Sequence, residues 1–170
     1  MERVLVSACL LGHAVRYNAQ DKRCDDGVLQ RWVAEGRVVS VCPEVAGGLP
    51  VPRPPAEITD DVGGANVLLQ AARVVDGRGH DVSAQFIAGA APALATAQSH
   101  GIRVAVLKEG SPSCGSSYTY DGTCTGTRVP YAGVTTAQLQ AAGVRVFSEA
   151  QFAEADAFVQ DLERRVQRRR

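Results

Sequence analysis

Arg3-Val4-Leu5-Val6-Ser7-Ala8, then Asp25-Asp26-Gly27-Val28-Leu29-Gln30-Arg31-Trp32-Val33-Ala34-Glu35-Gly36, then Arg37-Val38-Val39-Ser40-Val41 decide the fold. The first piece is a short apolar run rich in β-branched residues, the composition of a buried strand. The second opens on carboxylates and spaces Val28, Leu29, Trp32 and Val33 as i, i+1, i+4, i+5, a short amphipathic helix closed by Gly36. The third is another strand. Strand, crossover helix and strand make a βαβ unit, which biases the sheet to parallel.

Outward from this unit, residues 43–58 carry five prolines and two glycines and predict an ordered loop over a site, without regular structure. Leu68 to Val75, the turn Asp76-Gly77-Arg78-Gly79 and His80 to Val82 predict a small hairpin or a strand–turn preceding a helix. Val82 to Gln98 is an alanine-rich helix with Phe86, Ile87, Ala90 and Leu94 on one face, and Pro92 should kink or divide it. Ile102 to Leu107 is a third strand, and 108–131 is loop-like. Thr135-Thr136-Ala137-Gln138 and Ser148-Glu149-Ala150-Gln151 both read as capping boxes, with a last strand, Val144 to Phe147, between their helices. The terminal helix turns Phe152, Ala155, Val159, Leu162 and Val166 inward. The expected architecture is α/β. It is a single domain over residues 1–170 with a Rossmann-like, doubly wound, mainly parallel sheet, helices on both faces and site-forming loops at the strand carboxyl ends.

Hydrophobic residues make up 45% of the 170 residues and charged ones 21%, ordinary globular usage. Eighteen basic residues balance eighteen acidic ones, which argues against nucleic acid as a partner. The basic run Arg164, Arg165, Arg168, Arg169, Arg170 reads as a solvated helix end. No apolar run approaches the ~20 residues that span a bilayer, and Met1-Glu2-Arg3 enters a strand without a signal peptide's apolar stretch. The expectation is a cytoplasmic protein with no membrane partner, in a compartment where cysteines bind metal or do chemistry. Nothing in the sequence sets an oligomeric state.

Cys9, Cys42 and Cys114 each follow a strand-like run, and such positions share one edge of a parallel sheet, where ligands bind. Cys24 and Cys124 lack this placement. Compact zinc spacings are absent, and of His13, His80 and His100 only His13, four residues past Cys9, stands near the pattern. Thiolates about 6 Å apart repel by roughly 3 kcal/mol each at an effective dielectric of 20, so three of them require a cation. Soft sulfur ligands select zinc or an iron–sulfur cluster. A closed [4Fe–4S] cluster takes four cysteines, so three leave one iron open.

Ser7-Ala8-Cys9-Leu10-Leu11-Gly12 with Val15-Arg16-Tyr17, Cys42-Pro43-Glu44-Val45-Ala46-Gly47-Gly48-Leu49-Pro50, Pro52-Arg53-Pro54-Pro55-Ala56-Glu57, Lys108-Glu109-Gly110-Ser111-Pro112-Ser113-Cys114-Gly115 and Tyr120-Asp121-Gly122 resemble the DUF523 family over essentially the whole chain. That family includes a thiouracil desulfidase. The resemblance implies a [4Fe–4S] cluster held by Cys9, Cys42 and Cys114, with the substrate's sulfur taken by the open iron. It implies Glu44 as the acid/base carboxylate and a hydroxyl from the Ser111-Pro112-Ser113 turn at the pyrimidine.

The reaction so implied is hydrolytic desulfuration of a small thiolated nucleobase such as 2-thiouracil. Glu44 and Ser111 are then catalytic candidates, and Ser113 and Arg16 substrate-binding ones. Arg16, Arg53 and Glu57 fit loop-anchoring salt bridges as well as substrate contacts. The rival readings are a non-catalytic protein that binds zinc or a cluster, a thiol redox sensor, and a nucleobase-binding module without catalysis.

Overall fold

The computed structural model describes residues 1–169; Arg170, the last of the basic run, lies outside them. Strands β1 (Val4–Ser7), β2 (Val38–Val41), β5 (Val104–Leu107) and β8 (Arg145–Ser148) form one parallel sheet in the order β2-β1-β5-β8. The chain leaves the central β1 toward β2, then returns past β1 to build β5 and β8. That reversal places a topological switch point between β1 and β5, and open α/β sheets bind ligands at the carboxyl end of such a crevice.

Both faces of the sheet are covered, as parallel pairing demands. Val4 and Val6 of β1, Val104 and Val106 of β5 and Phe147 of β8 pack with Leu29 and Trp32 of α1 (Gly27–Ala34) and with Phe152, Ala155, Val159 and Leu162 of α6 (Phe152–Gln167). Leu5, Ala105 and Leu107, pointing the other way, pack with Ala97 of α4 (Ser83–Ser99) and Leu139 of α5 (Val134–Ala141). Asp26 caps α1 by accepting from the Val28 N–H at 2.8 Å. Gly36, at φ +69°, turns the chain back into β2.

Several local expectations are corrected. Within 43–58, Pro43–Ala46 forms a short helix, α2, and Ala56–Ile58 a strand, β3. Pro43 takes the first helical turn, where its missing N–H costs nothing. The 68–82 region, by contrast, takes the second of its two expected forms: strand β4 (Val74–Asp76), antiparallel to β3, then a turn with a lone bridge from Val75 to Asp81, then a helix from Ser83; the unexpected element is α3 (Gly64–Leu68), which ends where this region begins. Helix α4 runs unbroken through Pro92, which sits on its exposed side while Gly89, Ala90, Ala93 and Ala97 are buried. Strands β6 (Thr119–Tyr120) and β7 (Arg128–Val129) pair within the 108–131 loop.

Neither capping box forms as read. Gly133 caps α5, while the buried Thr135 and Thr136 turn their hydroxyls to the chain at Ser113 and Cys114. The α6 helix begins only at Phe152; the Gln151 side chain still accepts from the Ser148 N–H at 3.0 Å, half of the box. Val166, expected inward, is 39% exposed. No helix of the described residues is long and apolar enough to cross a membrane.

Candidate active site

Three adjacent strands deliver the three cysteines. Cys9 lies in a 3-10 turn, Ala8–Leu11, directly after β1. Cys42 is the residue between β2 and α2 and caps that helix in an extended conformation. Cys114 follows β5 by way of the Ser111-Pro112-Ser113 turn. All are free thiols and all line one cavity of about 720 Å³, within the size range of small-molecule sites.

Burial pushes the Cys9 thiol up to about 11, reinforced by the neighbouring Cys42. It also raises Cys42 and drives Cys114 well above the ordinary thiol range, with Glu44, Cys9 and Cys42 adding to the effect on Cys114. Without a cation beside them, all three thiols are therefore neutral. Among the described residues no three His, Cys, Asp or Glu side chains are drawn together as ligands of a single metal ion.

Glu44, in the first turn of α2, is braced on both oxygens. Its Oε2 accepts from Arg53 Nε at 2.9 Å and Nη2 at 2.6 Å, and its Oε1 accepts from the Ser111 hydroxyl at 3.0 Å. Arg53, only 5% exposed along its side chain, also donates to the carbonyls of Pro50 and Val15. It thereby ties the loop after Cys9 to the segment carrying Glu44. Ser111 Oγ in turn accepts from the backbone N–H of Ser113 at 3.1 Å and of Cys114 at 3.2 Å. One hydroxyl thus joins the Cys114 turn to Glu44.

Two backbone contacts hold these loops down. A Cβ on Gly89 of α4 would stand 1.9 Å from the Pro43 carbonyl oxygen, so α2 rests directly on α4. A Cβ on Gly133 would stand 2.5 Å from the Ser113 carbonyl, where the Cys114 turn rests on the start of α5. Thr136 Oγ1 donates to the Cys114 carbonyl at 2.9 Å. Glu109 accepts from the backbone N–H groups of Ser116 and Ser117 and from both their hydroxyls. Burial opposes its charge, but these bonds hold its carboxyl below the usual range.

Of the residues singled out in the sequence, Cys9, Cys42, Cys114, Glu44, Ser111 and Arg16 stand around the cavity. Ser113 does not: it is fully buried and its hydroxyl pairs with Thr135 Oγ1 at 2.9 Å. His13 is exposed and off the cavity wall, whereas His80 is on it. Cys24 packs beside the core and Cys124 is exposed, its N–H donating to Glu57 at 2.9 Å. Gln85 and Tyr118 also line the cavity without having been singled out. Gln85 was hidden by its place beside Phe86 on a helix read for its apolar face.

A doubly wound sheet with a thiol-lined cavity at its switch point, and a carboxylate held there by arginine and serine, defines a Rossmann-like protein with a cysteine-lined candidate site. The chain belongs to the 2-thiouracil desulfurase family, whose model matches residues 4–151. It is 42% identical over 146 residues to YbbK of Bacillus subtilis (strain 168), covering 86% of this chain and 95% of that protein. Among solved structures it is similar to the [4Fe-4S]-dependent thiouracil desulfidase TudS, a DUF523 protein, with a TM-score of 0.86 and 46% identity over 94% of this chain and 99% of that one. The DUF523 resemblance read from the motifs is thereby borne out.

Proposed function

We propose that this chain is an iron–sulfur-dependent desulfidase that converts a thiolated pyrimidine of the 2-thiouracil type to its oxo form and releases sulfide. The observation that carries the reading is the meeting of Cys9, Cys42 and Cys114 with Glu44 on one cavity wall. The family and the similarity to TudS support it.

The donor set fits a [4Fe–4S] cluster held by Cys9, Cys42 and Cys114: three unpaired thiols and no fourth cysteine on the cavity wall. Such a cluster would supply a thiophilic, Lewis-acidic iron with one position open to a ligand. Zinc is the alternative occupant that a set of thiolate ligands allows.

The chain's own residues supply the rest of a hydrolysis. Water adds its oxygen to the thiocarbonyl carbon, the carbon–sulfur bond breaks, and the two water protons leave with the sulfur as hydrogen sulfide. Glu44, oriented by Arg53, takes the first proton from the attacking water and returns it to the departing sulfur. Ser111 holds the other carboxylate oxygen and keeps Glu44 in register with the Cys114 turn. Arg16 is on the cavity wall, and its cation is available there to a substrate oxygen or sulfur. The reaction is redox-neutral.

The test is anaerobic reconstitution with iron and sulfide, iron quantification and incubation with 2-thiouracil. Roughly four irons per chain, with sulfide release abolished in Cys9→Ala and Glu44→Ala, supports the reading. Stoichiometric zinc without iron uptake overturns it, as does an iron-loaded protein that binds thiouracil and releases no sulfide.

A further inference from the structure

Gln85 lines the cavity, yet its side-chain oxygen Oε1 is shut off from solvent and has no hydrogen-bond partner among the described residues. Native structures leave few buried polar atoms unpaired, and each such atom calls for a reason. The serine hydroxyls around Cys114 are already engaged: Ser111 donates to Glu44, Ser113 pairs with Thr135 and Ser116 donates to Glu109. Arg53 is spent on Glu44 and two carbonyls.

The position of Gln85 is rigid relative to Glu44. A Cβ on Gly47, the residue closing α2, would stand 2.0 Å from the Gln85 backbone oxygen. The helix bearing Glu44 therefore rests on α4 at this very residue. The terminal torsion of a glutamine is soft, so its carboxamide turns either end into the cavity at little cost.

A carboxamide offers one acceptor oxygen and two donor hydrogens. The edge of a pyrimidine lactam alternates a ring N–H with an exocyclic oxygen, so a carboxamide meets both groups at once, as glutamine meets the edge of adenine. We propose that Gln85 is a substrate-binding, specificity-determining residue: its carboxamide pairs with a ring N–H and the adjacent exocyclic oxygen of the thiolated pyrimidine. This rests on the desulfidase reading.

The test compares reconstituted wild type with Gln85→Leu and with Gln85→Met, which keeps the side-chain length. Both variants should retain wild-type iron content and thermal midpoint. Loss of one hydrogen-bonded pair should lower kcat/KM for 2-thiouracil about tenfold, through KM. Calorimetry should show uracil, the product, bound more weakly by the same factor. Wild type should discriminate against 3-methyl-2-thiouracil, in which the ring N–H next to the exocyclic oxygen is blocked and the other is left free, and the variants should lose that discrimination. Wild-type KM and uracil affinity in both variants, within about twofold, would overturn the assignment. If iron-loaded wild type releases no sulfide, the desulfidase reading falls, and the uracil affinities still decide Gln85.

Discussion

Arg53 places two donors, Nε and Nη2, on a single oxygen of Glu44, leaving the other oxygen to the Ser111 hydroxyl. The pair is nearly closed to solvent, with side-chain exposures of 5% and 16%. An arginine used this way fixes the direction of a carboxylate as well as its charge. Arg53→Met removes the partner and leaves a carboxylate uncompensated, at a cost of about 3 kcal/mol in stability. A carboxylate free to turn should lower kcat by about 100-fold, with iron content unchanged. Full turnover in Arg53→Met would separate Glu44's role from its bracing.

Gly89 touches the Pro43 carbonyl with no room for a methyl group. Gly89→Ala must push α2 off α4, moving Cys42 and Glu44 together. The expected loss is about 2 kcal/mol by denaturant titration, the usual scale of overpacking. Iron bound per chain after reconstitution should fall as well, whereas alanine at the exposed Gly27, where no atom lies within 4 Å of a Cβ, should leave iron binding intact.

Ser113 faces Thr135 rather than the cavity, and Thr136 holds the Cys114 carbonyl. Ser113→Ala should therefore cost about 1 kcal/mol in stability, one buried hydrogen bond, and leave the KM for 2-thiouracil within about twofold. A rise in KM without loss of stability would return Ser113 to the substrate. Thr136→Val, of the same shape, should also destabilise by about 1 kcal/mol, read as a lower thermal midpoint.

Asp156 of α6 accepts from the indole N–H of the fully buried Trp32 at 3.0 Å, from Gln160 Nε2 at 2.7 Å and from Arg31. Burial alone would raise its carboxyl, but these donors hold it below the ordinary 3.8. A carboxyl depressed in the folded state contributes stability above its unfolded pKa and loses it as pH falls through the folded one. Asp156→Ala should cost about 2 kcal/mol at pH 7, chiefly by orphaning the Trp32 N–H. The gap between wild type and variant should narrow below about pH 4, as measured by urea unfolding at each pH.

The sheet was legible because β1, α1 and β2 carry their periodicities in undiluted form, and because Val4, Val6 and Leu5 must all be buried wherever the sheet is parallel. The convergence of Cys9, Cys42 and Cys114 followed from strand ends alone. What escaped the sequence was decided by tertiary partners. Thr135 and Thr136 have the spacing of a helix cap, but the Cys114 turn lies close enough to claim their hydroxyls first. Gln85 belongs to an alanine-rich helix whose pattern says only which side faces the core, and its open valence exists only in three dimensions. The proline-rich stretch concealed α2, since Pro43 breaks a helix interior but suits a helix start.

The strand order β2-β1-β5 has a consequence for biosynthesis. The first two cysteines become neighbours once the opening βαβ unit has paired, but the third arrives only after β5 has docked beside β1. A domain folds as a unit, and its chain emerges at ~5–20 residues per second. A ribosome still short of Cys114 has already made Cys9, Cys24 and Cys42, and for several seconds these three thiols lack the shelter of the finished sheet. The nascent chain therefore depends on a reducing surrounding until β5 is in place.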